Sequence, residues 1–221
     1  IQGPIKKDKA SFMLSGRRTY IDALVKPFIK PSAQFYGSGY FFYDVNAKLN
    51  YRFSDKDRLY ISGYFGRDVF DFVNSRRSFD IDIPWGNATM TARWNHVFNR
   101  KLFANTTLVY NDYNFRFGAL QNDFQLQLIS GIRDLNAKTD FDWYASTNHK
   151  VKFGAQYTFH RFTPSVVSGE QDTTVFEPNN SQVKYANEMA AYIQDDWDLS
   201  EKIKVNIGLR YSAFQQVGPY E

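Results

Sequence analysis

The sequence of 221 residues contains no cysteine, which excludes disulfide bonds, thiol catalysis and cysteine-ligated metal sites. It also contains no run approaching the roughly 18 apolar residues that a membrane-spanning helix needs. The net charge is only +4, and no cluster of Lys and Arg is interleaved with aromatic residues as on a nucleic-acid-binding surface. We therefore expect neither a helical membrane protein nor a nucleic-acid-binding protein.

Aromatic residues are abundant: they make up 18% of the chain, with 21 Phe and 15 Tyr. From Tyr43 to Phe53 the odd positions are apolar or aromatic and the even positions are polar or charged. A period of two predicts a β-strand with one apolar and one polar face. After the turn Ser54 to Asp57 the alternation resumes through Ile61, which predicts a hairpin.

The same alternation recurs along the chain and predicts about nine strands, each longer than the usual globular strand of about 5–6 residues. Further apolar series begin at Ala88, Leu102, Val151, Met189 and Ile203, and an earlier strand is predicted from Ala10 to Tyr20. From Phe124 to Ala145 the apolar residues change from even to odd positions, which predicts a β-bulge near Gly131.

The predicted connections alternate between short and long, and no helical pattern occurs in them. The short ones are Ser54 to Asp57, Asn99 to Arg100, Ser146 to His149 and Ser200 to Glu201. The long ones are Ile21 to Gly39, Val73 to Gly86, Arg116 to Asp123 and Thr163 to Lys184. This rhythm is typical of bacterial outer-membrane barrels, which have tight turns at the periplasmic end and long outer loops.

Large rings flank the short turns, as an aromatic girdle at one membrane interface requires. They are Tyr51, Phe53, Tyr60, Trp94, Phe98, Phe103, Trp143, Tyr144, Phe153 and Trp197. Tyr43 and Phe53 bound one face over a height of about 25 Å, which is the thickness of the apolar band.

The energy of burying charge then assigns the two faces. A Lys or Arg near the bilayer midplane costs about 2–4 kcal/mol, so Lys48, Arg52 and Lys152 must face a wet interior while Ile61 and Ala92 face lipid. The predicted fold is an all-β, antiparallel segment of a transmembrane β-barrel. A secreted β-sandwich is the alternative, because an antiparallel sheet on a soluble core also alternates.

About nine strands do not complete a bacterial barrel, which has an even number and no open edge. "IQGPI" looks like the tail of a preceding strand, and "QQVGPYE" looks like the start of an outer loop. We expect residues 1–221 to form an internal part of one larger barrel domain, with a plug domain and the remaining strands lying outside this sequence.

Two stretches resemble the barrel of TonB-dependent outer-membrane transporters, in particular those of Bacteroidetes-type bacteria. They are "GPIKKDKASFMLSGRRTYIDAL" from Gly3 and "YANEMAAYIQDDWDLSEKIKVNIGLRYSAF" from Tyr185. The resemblance implies a barrel of about 22 strands closed by an N-terminal plug. It also implies energy-coupled uptake of a scarce nutrient, of the siderophore, cofactor, glycan or peptide class, in the outer membrane of a Gram-negative bacterium.

The implied partners are outer-membrane lipid and lipopolysaccharide, TonB through an N-terminal segment that this sequence lacks, and a surface lipoprotein as a further candidate. A barrel that does not transport, and serves an envelope complex as a structural or docking component, is the second functional hypothesis. Aromatic residues in the predicted long loops, including Phe35, Tyr36, Phe70, Phe72, Trp85, Phe115 and Phe117, either contact a ligand or partner or pack the loops together.

Chemical signatures are scarce, and we predict no catalytic residue, no metal ligand and no cofactor. His96, His149 and His160 lack metal-ligand spacing, and no serine hydrolase motif is present, although an outer-membrane phospholipase is conceivable.

Two acidic groups could hold Ca²⁺. One is Asp195, Asp196 and Asp198, and the other is the pair Asp80 and Asp82. We expect instead that Asp196 faces the interior, that Asp195 and Asp198 lie at the periplasmic rim, and that the Asp80 pair belongs to a solvated loop.

Overall fold

Extended backbone dominates the computed structural model, which describes residues 1–122, 124–171, 174–176 and 183–218. Eleven strands form a single antiparallel sheet in which neighbours in sequence are neighbours in space, except that β9 pairs only with β8 and β10 pairs with β8. The strands are β1 Gln2–Lys6, β2 Ala10–Arg18, β3 Gly39–Arg52, β4 Asp57–Asn74, β5 Phe79–Val97, β6 Leu102–Gln121, β7 Phe124–Tyr144, β8 His149–Gln171, β9 Thr174–Phe176, β10 Lys184–Asp198 and β11 Lys204–Val217.

The predicted strands are all present, and the count differs for two short elements. The first residues form β1, which pairs with β2, so a strand is present where "IQGPI" predicted one. The three-residue β9 is an addition, paired with the end of β8.

One short helix contradicts the prediction that the connections contain none. The helix α1 spans Ile21–Val25 and is followed by a 3₁₀ turn, Lys26–Phe28. Pro27 lacks the backbone N–H that a continuing helix would use, and this limits the element to little more than one turn. Among the residues that the structure describes, no helix has the length and apolar character needed to cross a bilayer.

In their described residues, three of the four predicted long loops are largely strand. β4 ends at Asn74 and β5 begins at Phe79, β6 ends at Gln121 and β7 begins at Phe124, and β8 continues to Gln171. The prediction failed because the alternation continues past the apolar band with its sense reversed. On β5, for example, Asp80 and Asp82 lie on the same face as Ala92, while Ile81 and Trp85 lie on the face of Arg93.

Pro84 also made this stretch look like a loop in the sequence. It lies where the pairing of β5 with β6 is interrupted, between Asp82 and Trp85. A proline without an N–H is tolerated in a sheet at such an unpaired position.

The predicted bulge lies near Gly131 as expected, but it does not cause the change between even and odd apolar positions along β7. The register of β7 against β8 shifts between Ile129 and Gly131, and the longer segment is on β8, from Thr163 to Val166. β7 itself stays in regular register with β6 throughout. The change of parity along β7 is therefore a reversal of which face is apolar, as on β5.

The sheet has no second layer, and the β-sandwich alternative is therefore wrong for the described residues. Among the residues whose burial the structure describes, the buried aliphatic and aromatic residues are four alanines, and no large side chain is fully buried. Trp94 is 46% exposed, Leu108 52% and Ile207 61%, although a sandwich would bury such side chains between its sheets.

Candidate functional site

The polar face of the sheet is the candidate functional surface, because within the apolar band the pleat places the charged side chains of the central strands there. Lys48 pairs with Ser62, and Lys152 pairs with Gln194. Ile61 pairs with Ala92 on the opposite face. The predicted division of these residues between the two faces is confirmed, and Arg52 lies on the same face as Lys48.

Side chains on the polar face hydrogen bond across neighbouring strands. Thr89 donates to Asn111 at 2.8 Å, Asn95 donates to Asn105 at 3.2 Å, and Asn136 donates to Thr158 at 2.7 Å. Each of these hydrogen bonds pairs one side-chain donor with one side-chain acceptor, and the neighbouring polar side chains can still bind water. This surface can therefore line an aqueous or protein-filled interior.

A cavity of about 650 Å³ lies against the polar face of β1 to β5. Lys48 and Arg93 supply positive charge to its wall, and Asn50 and Tyr60 supply polar groups. Oδ1 of Asn50 is buried and has no hydrogen-bond partner within the described part of the chain. The cavity thus offers cations and an unused acceptor to whatever fills it.

A second group of polar and aromatic side chains lies on the polar face near the end of β2 and the start of β3. An ion pair between Arg17 and Asp44 is part of this group. Nε of Arg17 lies 2.5 Å from Oδ2 of Asp44, and the guanidinium lies 5.1 Å from the ring centroid of Phe42. The Asp44 carboxylate is 8% exposed and the Arg17 side chain is 71% exposed. The arginine therefore retains donors that face open space.

Tyr40, Asp68 and Trp85 continue this group across β3, β4 and β5. The Tyr40 hydroxyl donates a hydrogen bond of 2.7 Å to Asp68, and its ring stacks on Trp85 with centroids 6.3 Å apart. The hydrogen bond to the Asp68 carboxylate, helped by burial, raises the pKa of the Tyr40 phenol, because both disfavour the phenolate.

We call these residues the mouth cluster: Arg17, Tyr40, Phe42, Asp44, Asp68 and Trp85. Rings offer flat surfaces for stacking, and the arginine and carboxylates offer charge-assisted hydrogen bonds. Of these residues the sequence singled out only Trp85 as a candidate contact, and it predicted a loop there. The continued alternation of Tyr40, Phe42 and Asp44 was the signal that could have found the cluster.

The other predicted loop rings are mostly strand residues on this same face. Phe70 and Phe72 belong to β4, and Phe115 and Phe117 belong to β6. The rings of Phe35 and Phe72 lie 5.6 Å apart, which favours the packing alternative for that pair. For the others, the choice between ligand contact and packing stays open.

The apolar face carries a belt of rings beside the short turns. Tyr51 contacts Phe53, Phe98 contacts Phe141, and Phe141 stacks on Phe153 at 4.9 Å. Trp94, Trp143 and Trp197 lie on the same face. Three of the predicted girdle rings are on the polar face instead: Tyr60, Phe103 and Tyr144.

The three histidines lie apart, and each contacts carboxylates of its own. His96 lies 2.6 Å from Asp57, and His149 lies 2.6 Å from Asp195, both within the belt of rings. His160, on the polar face, lies 2.8 Å from Asp134 and 3.5 Å from Glu188. Across ranges 1–122, 124–171, 174–176 and 183–218, no three acidic or histidine side chains converge as metal ligands.

The acidic residues of β10 lie where the sequence placed them, whereas the Asp80 pair does not. Asp196 is on the polar face and accepts a hydrogen bond from Asn206. Asp195 lies beside the short turn on the apolar face. Asp80 and Asp82 are strand residues of β5, and Asp82 forms an ion pair of 2.8 Å with Arg116.

A single antiparallel sheet with an apolar face, a polar face and a belt of rings beside its short turns is the wall of a transmembrane β-barrel. A comparison of the sequence with known protein families identifies the class of barrel. A family model described as "TonB dependent receptor-like, beta-barrel" matches residues 12–220. The chain belongs to this family, and its apolar face is therefore the lipid-facing side.

Solved structures of three receptors share the fold. A mutant of the ferric enterobactin receptor of Pseudomonas aeruginosa has a TM-score of 0.66 at 12% identity, over 98% of this chain and 36% of that one. The ferric preacinetobactin receptor of Acinetobacter baumannii has a TM-score of 0.64 at 9% identity, over 98% and 38%. The ferric yersiniabactin uptake receptor of Yersinia pestis has a TM-score of 0.54 at 9% identity, over 93% and 43%.

These identities are low enough that the likeness concerns the fold alone. The chain spans about two fifths of the length of the receptors it matches. No curated protein sequence matches it.

Proposed function

We propose that this chain is part of the wall of an outer-membrane transporter that imports a scarce nutrient with energy delivered through TonB. The match to the receptor family across residues 12–220 is the observation that carries the proposal. The proposal includes the outer membrane of a Gram-negative bacterium as the location, with the short turns at the periplasmic end. It assigns the protein no enzymatic activity.

In this proposal, residues 1–221 are an internal part of one barrel domain, and a plug domain and further strands complete it. The cavity against β1 to β5 supports a filled interior, because Lys48, Arg93 and the free acceptor of Asn50 would gain partners from a segment placed there. The segment that contacts TonB belongs to the same missing part. A surface lipoprotein is the remaining candidate partner, at the end away from the short turns.

The mouth cluster is the proposed first contact for the ligand. Its stacked rings and the exposed guanidinium of Arg17 suit a ligand that combines flat groups with negative charge or hydrogen-bond acceptors. The related solved structures are receptors for ferric siderophores, so iron limitation is the first condition to test. Cofactor, glycan and peptide ligands remain alternatives of the proposal.

The test is a deletion of the gene followed by growth on limiting iron, cobalamin, glycans or peptides. We expect a growth defect under one limitation, restored by the intact protein, and abolished uptake when an uncoupler dissipates the proton-motive force. Arg17→Gln should weaken uptake, while Lys204→Gln, a matched change at the short-turn end, should not. Full growth of the deletion strain under all limitations, with no binding of TonB, would favour the docking alternative.

A further inference from the structure

Two arginines on the lipid-facing side are directly opposed at the upper edge of the apolar band. Arg133 on β7 pairs with Arg161 on β8. Both lie about ten residues along their strands from the belt pair Trp143 and Val151, a height of about 25 Å at the usual strand tilt. That height places the two guanidiniums at the level of the lipid headgroups.

Like charges directly opposite each other on one face of a sheet are destabilising unless something neutralises them. Nε of Arg133 lies 2.8 Å from Oδ2 of Asp112, and the Arg133 side chain remains 53% exposed. Arg161 makes neither a hydrogen bond nor an ion pair with any described residue. Asp112 therefore neutralises Arg133, and the positive charge of Arg161 stays uncompensated among the described residues.

Other arginines on this side either form an ion pair with a carboxylate or lie far from Arg133 and Arg161. Arg18 forms an ion pair with Asp22, and Arg116 forms one with Asp82. Arg67 has no partner among the described residues, but it is on β4, about 19 Å from β8 at the usual strand spacing. An opposed arginine pair that keeps one uncompensated positive charge is thus a local feature of β7 and β8.

Tyrosine rings beside Arg133 and Arg161 support a position of the two arginines at the level of the lipid headgroups. Tyr185 pairs with Arg161 on the same face, and its ring stacks on Phe159 with centroids 5.7 Å apart. The Tyr110 hydroxyl lies 3.3 Å from the carboxylate of Asp112. Tyrosines are enriched where hydrocarbon meets the headgroups, because one end of the ring is apolar and the other is polar.

We propose that Arg133 and Arg161 together bind the phosphate of an anionic lipid in the outer leaflet. The planar guanidinium fork matches phosphate oxygens, and a phosphate placed between the two side chains supplies the missing negative charge. This inference rests on the proposed membrane orientation, in which the short turns are periplasmic. It adds a lipid site that is separate from the interior through which a nutrient would pass.

The experiment uses the intact protein in phosphatidylethanolamine nanodiscs containing diphosphoryl lipid A or its dephosphorylated form. Lipid A retained per protein after mild detergent extraction is measured by mass spectrometry over a range of lipid A content. Each basic residue near an anionic membrane surface contributes about a fivefold change in affinity, so R133Q/R161Q should bind diphosphoryl lipid A about thirtyfold more weakly.

The matched control is K138Q/K152Q, which removes the same charge from the same two strands on the polar face. It should retain lipid A as the unaltered protein does. Should R133Q/R161Q fail to fold, R161Q alone is the test, because it leaves the ion pair of Arg133 with Asp112 intact.

Unchanged retention in the arginine variants, equal loss in the lysine control, or equal binding of dephosphorylated lipid A would each overturn the proposal. The assay contains no transported ligand. Its failure therefore leaves the uptake proposal untouched, and a failure of the uptake experiments leaves the lipid result standing.

Discussion

The hydroxyl of Tyr192 on β10 donates a hydrogen bond of 2.5 Å to Oδ1 of Asp140 on β7, two strands away. The tyrosine reaches that far because Gly154 on β8 lies between them and has no side chain. A Cβ at Gly154 would lie 2.9 Å from Cε1 of Tyr192 and 2.5 Å from the carbonyl oxygen of Thr139. The glycine thus allows a contact that joins three strands of the polar face.

Gly154→Val should therefore destabilise the sheet by about 1–3 kcal/mol, the range for overpacking, because the new side chain displaces Tyr192. Denaturant unfolding in lipid vesicles measures the change. Gly63→Val is the control, since the nearest atom to a Cβ there is 4.0 Å away. Equal effects of the two substitutions would contradict the proposed role of Gly154.

The two faces of β5 should respond differently to an added arginine. Met90 is on the lipid-facing side and is 57% exposed, while its neighbour Thr91 points to the polar face. Met90→Arg should cost about 2–4 kcal/mol, as expected for an arginine near the bilayer midplane, and Thr91→Arg should cost much less. The same unfolding measurement applies, and a costlier Thr91→Arg would reverse our assignment of the faces.

The four tryptophans should separate by their exposure to lipid. Trp94, Trp143 and Trp197 lie in the belt on the apolar face, whereas Trp85 stacks on Tyr40 at the polar face. Variants that each keep one tryptophan are placed in vesicles of brominated lipid. We expect fluorescence quenching for the belt residues and little for Trp85, and strong quenching of Trp85 would show that the mouth cluster contacts lipid.

Asp71 should make the β4–β5 hairpin sensitive to pH near its connecting residues 75–78. Burial and the facing carboxylate of Asp82 raise the pKa of Asp71, because both penalise its ionised form. Its protonated form therefore contributes stability that is fully present below the unfolded-state pKa and is lost as pH rises through the raised folded-state pKa.

Asp71→Asn should accordingly raise the melting temperature at neutral pH and change it little in acid below the unfolded-state pKa. Circular dichroism during heating measures both. Asp80→Asn is the charge-matched control on the same strand pair, where Asp80 faces Val73 and not a carboxylate. If Asp71→Asn raised the melting temperature as much in acid as at neutral pH, the ionised Asp71 carboxylate would not be the source of the destabilisation.

The sequence by itself determined the strands, their antiparallel order and the division of side chains between two solvents. Period-two alternation needs no tertiary information, because a strand presents successive residues to opposite faces. That is why the opposite placement of Lys48 and Ile61 could be predicted. The family resemblance rested on the same two-faced pattern, and the match over residues 12–220 confirms it.

Only the tertiary structure decided how far the strands run and which side chains meet. Beyond the apolar band both faces are in water, so the sense of the alternation can reverse, and residues such as Asp80 and Phe72 were read as loop. Contacts across strands depend on register, because a shift of one residue would exchange the faces. The pairings of Arg17 with Asp44, Tyr192 with Asp140 and Arg133 with Arg161 follow from that register, and no local sequence signal contains it.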